Sequence, residues 1–310
     1  MNQTTVTYFI IKGISDVPQL QTPIFLVVLL IYLMTLGGNM TILQLVCQDP
    51  HLHTPMYFFL GNLSVLDMSY TTVILHKVLI TFISGDNTVS YRSCLAQFYV
   101  GASLAINELL LLTAMSYDRY VAICNPLNYH IIMNRAVCVL LSLSCWTVSF
   151  LEGLPCLVLL GQFSCYNSNI INHFFCDIVP LLKLTCSDTT AFQTLVFSQG
   201  LFITILTPFL LTFISYVFII GTILKIHSSS GRRKTFYTCS SHLTVVILLY
   251  TFLVCQYIRP SAKDSLDANK ILFLFNTAGV PLLNPLIYSL KNNEVKSAMR
   301  RQLKTCKAFI

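Results

Sequence analysis

The stretch CLAQFYVGASLAINELLLLTAMSYDRYVAIC, Cys94–Cys124, decides the fold. It is mostly apolar and long enough to cross a bilayer, which takes about 20 residues of α-helix. It ends by placing Asp118 and Arg119 side by side. The stretch therefore predicts a membrane-spanning helix with an ion pair at the membrane edge.

Similar apolar runs recur along the chain. Of the 310 residues, 55% are hydrophobic and only 10% are charged, whereas soluble domains carry about 25% charged residues. The runs are continuous, which excludes a transmembrane barrel, because barrel strands alternate over about ten residues. We expect an all-α membrane protein, a seven-transmembrane helix bundle. The expected spans are 23–46, 56–80, 95–117, 136–160, 195–224, 236–258 and 271–290.

The chain shows no internal repeat of 20 to 50 residues and reads as one membrane domain. We expect an outer segment at 1–22, the helix domain at 23–290 and a tail at 291–310. No cleavable signal peptide is visible before the first span. The alternative from another class is a secondary transporter that uses Asp67 and Glu108. It is disfavoured because many transporters are built from two matching halves with broken helices.

Lys and Arg predict the orientation, because positive loops near helix ends stay in the cytoplasm. Most of them lie on the side of the C-terminal tail, while those on the other side are nearly balanced by Asp. This predicts an extracellular N-terminus, with a glycosylation sequon at Asn2, and a cytoplasmic C-terminal amphipathic helix. The net charge of +7 fits membrane lipid or an acidic partner, not nucleic acid.

Four of the twelve cysteines are predicted on the outer side. Cys94 begins the third span, and Cys165, Cys176 and Cys186 lie in the long loop before the fifth. In an oxidising compartment these four allow three pairings, among which the sequence alone does not choose. Cys306, between two lysines near the membrane, is a candidate for palmitoylation.

The run HFFCD, residues 173–177, brings an imidazole, a thiol and a carboxylate together. These groups suit a soft metal such as copper. A thiol committed to a disulfide is not a thiolate ligand, and two or three ligands do not close a site. We therefore do not expect a metal there.

Two acidic residues are predicted inside the membrane, Asp67 and Glu108. An ionisable group there costs roughly 2.5 kcal/mol or more and indicates a functional site. Asn39 and Asn284 lie at comparable depth and offer amide oxygens. The two carboxyl groups either hold a hard cation such as sodium or share a proton as a structural pair. We expect no other cofactor.

Enzyme motifs are absent from the sequence. It contains no His-Glu-x-x-His, Gly-x-Ser-x-Gly or Gly-x-x-x-x-Gly-Lys run. The seventh span has no lysine at mid-membrane for a retinal Schiff base, which excludes a light-sensing opsin.

Several stretches together resemble the odorant receptors, a branch of the rhodopsin-like G-protein-coupled receptors. They are GN (38–39), PMYFFLGNLSVLD (55–67), MSYDRYVAICNPLNY (115–129), SY (215–216), KTFYTCSSHLTVV (234–246) and PLLNPLIYSLKNNEV (281–295). The resemblance covers nearly the whole chain, and the long outer loop with three cysteines is similar to that of the tetrapod-type class. Glu152, in the outer half of the fourth span, departs from the family pattern and either touches ligand or caps a neighbouring hydroxyl.

The resemblance implies a receptor for a small, largely hydrophobic volatile odorant bound between the helices. It implies activation of a stimulatory olfactory-type heterotrimeric G protein, with a rise in cyclic AMP. The expected location is the plasma membrane, as a multi-pass protein in the cilia of olfactory sensory neurons. An amine receptor is disfavoured, because Gly101 stands where such a receptor would need a carboxylate.

The resemblance also implies roles for particular residues. The expected disulfides are Cys94–Cys176 and Cys165–Cys186. The switch and G-protein-coupling residues are Asp118, Arg119, Tyr120, Tyr216, Asn284, Pro285 and Tyr288. Asp118 is expected to hold Arg119 at rest and to release it on activation.

The predicted ligand site begins with the small residues of the third span, which leave volume below the outer loop. Its hydroxyl groups would orient one polar group of the ligand, and Tyr257 is the expected hydrogen-bonding partner. The alternative for any one residue is ordinary helix packing. The predicted lining on the third span is Gly101, Ala102, Ala105, Ile106 and Leu109. The resemblance implies that the residues facing them are Leu201, Thr204, Tyr250, Leu253, Val254, Tyr257, Leu274 and Thr277.

Overall fold

Long helices form the body of the protein, and the computed structural model describes residues 6–15, 17–257 and 266–308. Side chains are described throughout these ranges except at 234, 238, 256, 257, 266–269, 290, 291, 303 and 305–308. Asn2 and the side chains of Tyr257 and Cys306 thus lie outside the described residues. The long helices are α1 (Pro18–Gln48), α2 (Pro55–Ser84), α3 (Tyr91–Cys124), α4 (Arg135–Gly161), α5 (Thr190–Leu224), α6 (Ser229–Tyr257), α7 (266–291) and α8 (Asn293–Ala308).

Helices α1 to α5 and the part of α7 at Lys270–Ser289 are each long and apolar enough to cross a membrane. Helix α6 is bent by 43° between Ser229–Tyr237 and Cys239–Cys255. Counted as one span, this bent helix completes the seven spans that the apolar runs predict.

Side-chain caps mark the start of two of the helices, α3 and α4. The hydroxyl of Ser90 accepts a hydrogen bond from the amide of Ser93 at the start of α3. The side chain of Asn134 accepts one from the amide of Val137 at 3.0 Å at the start of α4. Such caps satisfy amides that a helix leaves unpaired at its first turn. Helix α1 begins at Pro18, inside the segment predicted as 1–22.

Two helices contain a π-helical turn that ends two residues before a proline. The π segment of α5 is Gln199–Leu206, followed by Pro208, and that of α7 is Phe275–Gly279, followed by Pro281. A proline has no N–H to donate and its ring crowds the carbonyl four residues earlier. The wider π turn relieves that crowding without ending the helix.

A small sheet covers the outer end of α3. Strand β1 (Tyr8–Ile11) lies between β2 (Thr88–Ser90), to which it is antiparallel, and β3 (Ile170–Ile171), to which it is parallel. It buries Phe9 completely in an apolar cluster with the disulfide of Cys94. The long outer loop adds a short helix, Ile178–Leu184. Neither the sheet nor this helix is apparent in the hydropathy of the sequence.

Helix α8 is amphipathic, as predicted, with Val295 and Ala298 buried. Its Arg301 donates two hydrogen bonds to Asp49 of the loop between α1 and α2, at 2.9 and 2.6 Å. Partial desolvation raises the pKa of Asp49, but hydrogen bonds from Arg301 and His51 outweigh it and lower the pKa to about 2. Asp49 therefore remains charged at neutral pH and holds α8 against this loop.

Candidate functional site

The small residues of α3 face three different neighbours. A Cβ added to Gly101 would lie 4.0 Å from Val73 of α2. Ala102 packs against the apolar cluster at the α4–α5 contact, and Ala105 packs against the central core. The volume beside Gly101 is therefore turned towards α2, whereas Ala102 and Ala105 face the interior of the bundle.

Further down α3, Ile106 is half-buried and Leu109 is buried. On the neighbouring helices, Leu253 and Leu274 pack against the same central core. Leu201 and Val254 are 39% and 50% exposed. The predicted lining is thus mostly apolar, with buried and exposed members.

The hydroxyl groups of the predicted site differ in their hydrogen-bond partners. Thr277 is fully buried and donates to the carbonyl of Phe273 at 2.8 Å. Thr204 donates to the carboxylate of Glu152. The hydroxyl of Tyr250 is buried and has no hydrogen-bond partner among the described residues. A buried polar group without a hydrogen bond costs about 1–3 kcal/mol. A hydrogen bond from a ligand to the hydroxyl of Tyr250 would remove this cost.

Tyr250 lies against Phe209 of α5, with ring centroids 5.2 Å apart in an edge-on arrangement. Phe209 is a neighbour of the site that the sequence did not single out. It follows Pro208 and the π turn of α5, which no hydropathy pattern indicates.

The HFFCD run forms an aromatic cluster with α7 above the predicted site. The rings of His173 and Phe175 lie 5.5 and 4.6 Å from that of Phe273, and Lys270 donates to Asn172 at 2.9 Å. Burial and the charge of Lys270 lower the pKa of His173 to about 3, so the imidazole is neutral. Within the described ranges, no group of three His, Cys, Asp or Glu could hold a metal.

Both disulfides join the cysteines that the resemblance implies. Cys94 is bonded to Cys176 and Cys165 to Cys186, each with Cα atoms 5.4 Å apart. Gln97 reinforces the first, because it accepts from the amide of Cys176 at 3.1 Å and donates to the carbonyl of Val73 at 2.9 Å. The outer loop is thereby fixed to both α2 and α3.

Asp67 and Glu108 are both buried, and Asn284 donates to Asp67 at 2.9 Å. Oxygens of all three side chains have no hydrogen-bond partner among the described residues: Oδ1 of Asp67, Oε1 of Glu108 and Oδ1 of Asn284. Oxygens of this kind suit a hard cation. Asn39, in contrast, donates to the carbonyls of Thr35 and Pro281. Its amide nitrogen thereby joins α1 to α7.

The charged pair that ends α3 is partly enclosed. Nε of Arg119 lies 3.6 Å from Oδ2 of Asp118, with Arg119 15% exposed and Asp118 fully buried. Tyr129, in the following loop, donates to the other carboxylate oxygen at 2.8 Å. Asp118 thus holds both the arginine and the loop.

A second contact joins the inner parts of α3, α5 and α6. The hydroxyl of Tyr216 lies 2.7 Å from Nδ1 of His242, and Nε2 of His242 lies 3.1 Å from the carbonyl of Leu112. A carbonyl only accepts, so Nε2 carries the proton and Nδ1 accepts from the tyrosine. His242 belongs to the TCSSHL stretch but was not among the predicted switch residues.

The remaining predicted switch residues lie nearby on α3 and α7. Tyr120 packs edge-on against Phe218 of α5, with centroids 5.9 Å apart. Pro285 lies so close to α1 that a Cβ on Gly38 would approach it to 3.0 Å. Tyr288 is fully buried.

Known proteins share this sequence and fold. The olfactory receptor family model matches residues 28–306. Human olfactory receptor 6C1 is 48% identical over 297 residues, which cover 96% of this chain and 95% of that receptor. Human olfactory receptor 6C3 is 46% identical over 300 residues, which cover 97% of this chain and 96% of that receptor.

Among solved structures, the crystal structure of squid rhodopsin matches with a TM-score of 0.70 at 15% identity. The match covers 92% of this chain and 81% of that chain and shows the rhodopsin-like fold. The predicted helix bundle and resemblance are therefore confirmed. The protein is a multi-pass membrane receptor of the signalling kind, not an enzyme, and it belongs to the olfactory receptor family.

Proposed function

We propose that this receptor binds a small, neutral, largely hydrophobic volatile odorant in the outer half of the bundle. It then activates a stimulatory olfactory-type G protein and raises cyclic AMP, in the plasma membrane of olfactory cilia. One observation carries the proposal: α6 holds both the unpartnered hydroxyl of Tyr250 and, about two turns further in, the bonded ring of His242.

The chemistry of the lining supports a hydrophobic ligand. Ala102, Ala105 and Leu109 present no polar side-chain atom, and Phe209 adds an aromatic wall beside Tyr250. Small-molecule sites usually combine such a lining with a few polar groups that fix orientation. The hydroxyl of Tyr250 serves that role, alongside the predicted Tyr257.

Helix α6 links the ligand to the cytoplasmic side. A ligand that packs against Tyr250 stabilises one position of this helix, and it shifts the balance only by binding that state better. Movement of α6 away from α3 breaks the hydrogen bonds of His242 to Leu112 and Tyr216. Arg119, next to these contacts at the end of α3, then becomes available to the G protein.

A sodium ion between Asp67 and Glu108 is part of the proposal. The unpartnered oxygens of these residues and of Asn284 supply hard ligands of the type that sodium accepts. The alternative is a carboxyl pair that shares one proton, without an ion.

An odorant panel tests the function directly. Cells expressing the receptor are screened with a cyclic-AMP readout, and surface receptor is measured in parallel. We expect a response to at least one hydrophobic volatile, absent from an Arg119→Ala receptor that reaches the surface. A normal response in that variant would contradict the switch, and ion-driven accumulation of an odorant would favour the transporter alternative.

A further inference from the structure

A carboxyl group holds α4 and α5 together in the outer half of the bundle. Oε1 of Glu152 accepts a hydrogen bond from Thr204, and the side chain of Gln199 donates to the backbone carbonyl of Glu152. Both partners belong to α5, so Glu152 is fixed at two points. An acidic residue placed within a membrane span indicates a functional site.

The π turn of α5 brings these two partners together. Gln199 and Thr204 are the i and i+5 residues of the segment Gln199–Leu206, and the hydroxyl of Thr204 also lies 3.4 Å from the carbonyl of Gln199. In an α-helix, residues five apart point to different sides, because one turn takes 3.6 residues. The wider π turn places both near one face, and π turns occur often at functional sites.

The cluster has acceptors left over. Oε1 of Gln199 is buried with no hydrogen-bond partner in the described part of the chain. Of the two carboxylate oxygens of Glu152, only Oε1 receives a hydrogen bond from a described residue. A carbonyl oxygen and a carboxylate oxygen both accept, so the group that would complete the cluster is a donor.

The cluster adjoins the predicted ligand site. Cys156 lies one turn from Glu152 on α4, and it packs with Ala102 of α3 against the apolar cluster that includes Phe192. Thr204 is itself a predicted lining residue. A ligand whose apolar body lies against Ala102 and Ala105 can therefore point a polar end towards Glu152.

We propose that Glu152 and Gln199 form a recognition subsite for a hydroxyl group, so that this receptor selects volatile alcohols over ethers of the same carbon skeleton. The ether oxygen only accepts, and it would leave the acceptors of the subsite unpaired. The inference rests on the proposed function as an odorant receptor and names the ligand class of that same site.

The test compares pairs of ligands in matched receptors. Each medium-chain alcohol is paired with its methyl ether, and the half-maximal concentrations for cyclic AMP are compared in the wild type and in Glu152→Leu. We expect the wild type to favour the alcohol by about tenfold or more, as loss of one hydrogen bond to a polar site implies. The variant should lose this preference and retain its response to the ether.

Two controls separate recognition from stability. Thr194→Val, on the same helix, removes a hydroxyl that donates only to the carbonyl of Thr190, so the alcohol preference should persist. If Glu152→Leu fails to reach the surface, the same comparison is made in Gln199→Met, which keeps the carboxylate but removes the second acceptor together with the hydrogen bond to the carbonyl of Glu152. An unchanged preference, or an equal loss of both responses at normal surface levels, would overturn the subsite.

Binding without signalling distinguishes the two proposals. Thermal stabilisation of purified receptor by each alcohol and its ether measures the same preference in the absence of a G protein. If alcohols stabilise the receptor but give no cyclic-AMP response, the proposed signalling is contradicted and the subsite is still supported. Stabilisation by ethers as strong as by alcohols would overturn the subsite alone.

Discussion

The rings of Tyr216 and His242 are nearly parallel, with planes 8° apart, and the tyrosine hydroxyl lies 2.7 Å from Nδ1 of the imidazole. The other ring nitrogen is bound to the carbonyl of Leu112. His242 thus connects three helices at a fully buried position. In the proposed mechanism these bonds exist only while α6 is packed against α3.

The first prediction concerns this contact. His242→Phe keeps a ring but removes both hydrogen bonds, which are worth about 0.5–1.5 kcal/mol each. The resting state should lose that stabilisation, so basal cyclic AMP per surface receptor should rise severalfold. Tyr216→Phe removes one bond and should have a smaller effect. Basal signalling equal to wild type in both variants would show that the contact does not restrain activation.

The second prediction concerns the outer disulfides. Cys94→Ser should largely abolish surface expression, because loss of a native disulfide typically costs 2–5 kcal/mol and here releases the outer loop from α3. Cys255, an exposed free cysteine, provides the matched control, and Cys255→Ser should reach the surface normally. Flow cytometry of tagged receptor measures both. Normal surface levels of Cys94→Ser would disprove a structural need for this bond.

The third prediction separates sodium from a shared proton at Asp67 and Glu108. If sodium binds, replacing potassium by sodium chloride should raise the melting temperature of purified receptor, since a ligand that binds only the folded state stabilises it. Asp67→Asn should remove this difference, while Asn39→Ala, at the α1–α7 contact, should keep it. Equal melting temperatures of the wild type in both salts would favour the shared proton.

Features formed by residues close together in the chain were predictable from the sequence. Apolar runs specify the spans because each must satisfy its backbone within one helix. The Asp118–Arg119 pair is formed by adjacent residues, and family resemblance implied both disulfides. The spans and the ion pair depend on residues close together in the chain, whereas Cys94 and Cys176 are 82 residues apart and their pairing came from the resemblance alone.

Contacts between distant segments were not predictable in the same way. Strand β1 pairs with residues from two later loops, and a four-residue run such as Tyr8–Ile11 gives no sign of its partners. Asn39 was expected beside Asp67 on depth alone, but its direction around α1 turns it to Pro281. The sequence marked Glu152 as unusual, but its hydrogen bond to Thr204 depends on the π turn of α5. The presence of Pro208 in the sequence does not by itself predict that turn.

The last prediction tests the position of the odorant. Ala105 is half-buried and packs on the central core of the bundle, so Ala105→Phe places a ring in the space that the ligand would occupy. The cyclic-AMP response should disappear while surface expression persists, and Ala105→Val should weaken it in proportion to the smaller volume.

Gly101 supplies the control on the same helix. An added methyl group there would meet Val73 of α2 at an ordinary contact distance of 4.0 Å. Gly101→Ala should therefore leave the dose-response curve nearly unchanged, because the methyl group points away from Tyr250 and α5. If Gly101→Ala abolishes the response while Ala105→Phe preserves it, the odorant lies between α2 and α3 rather than against α5 and α6.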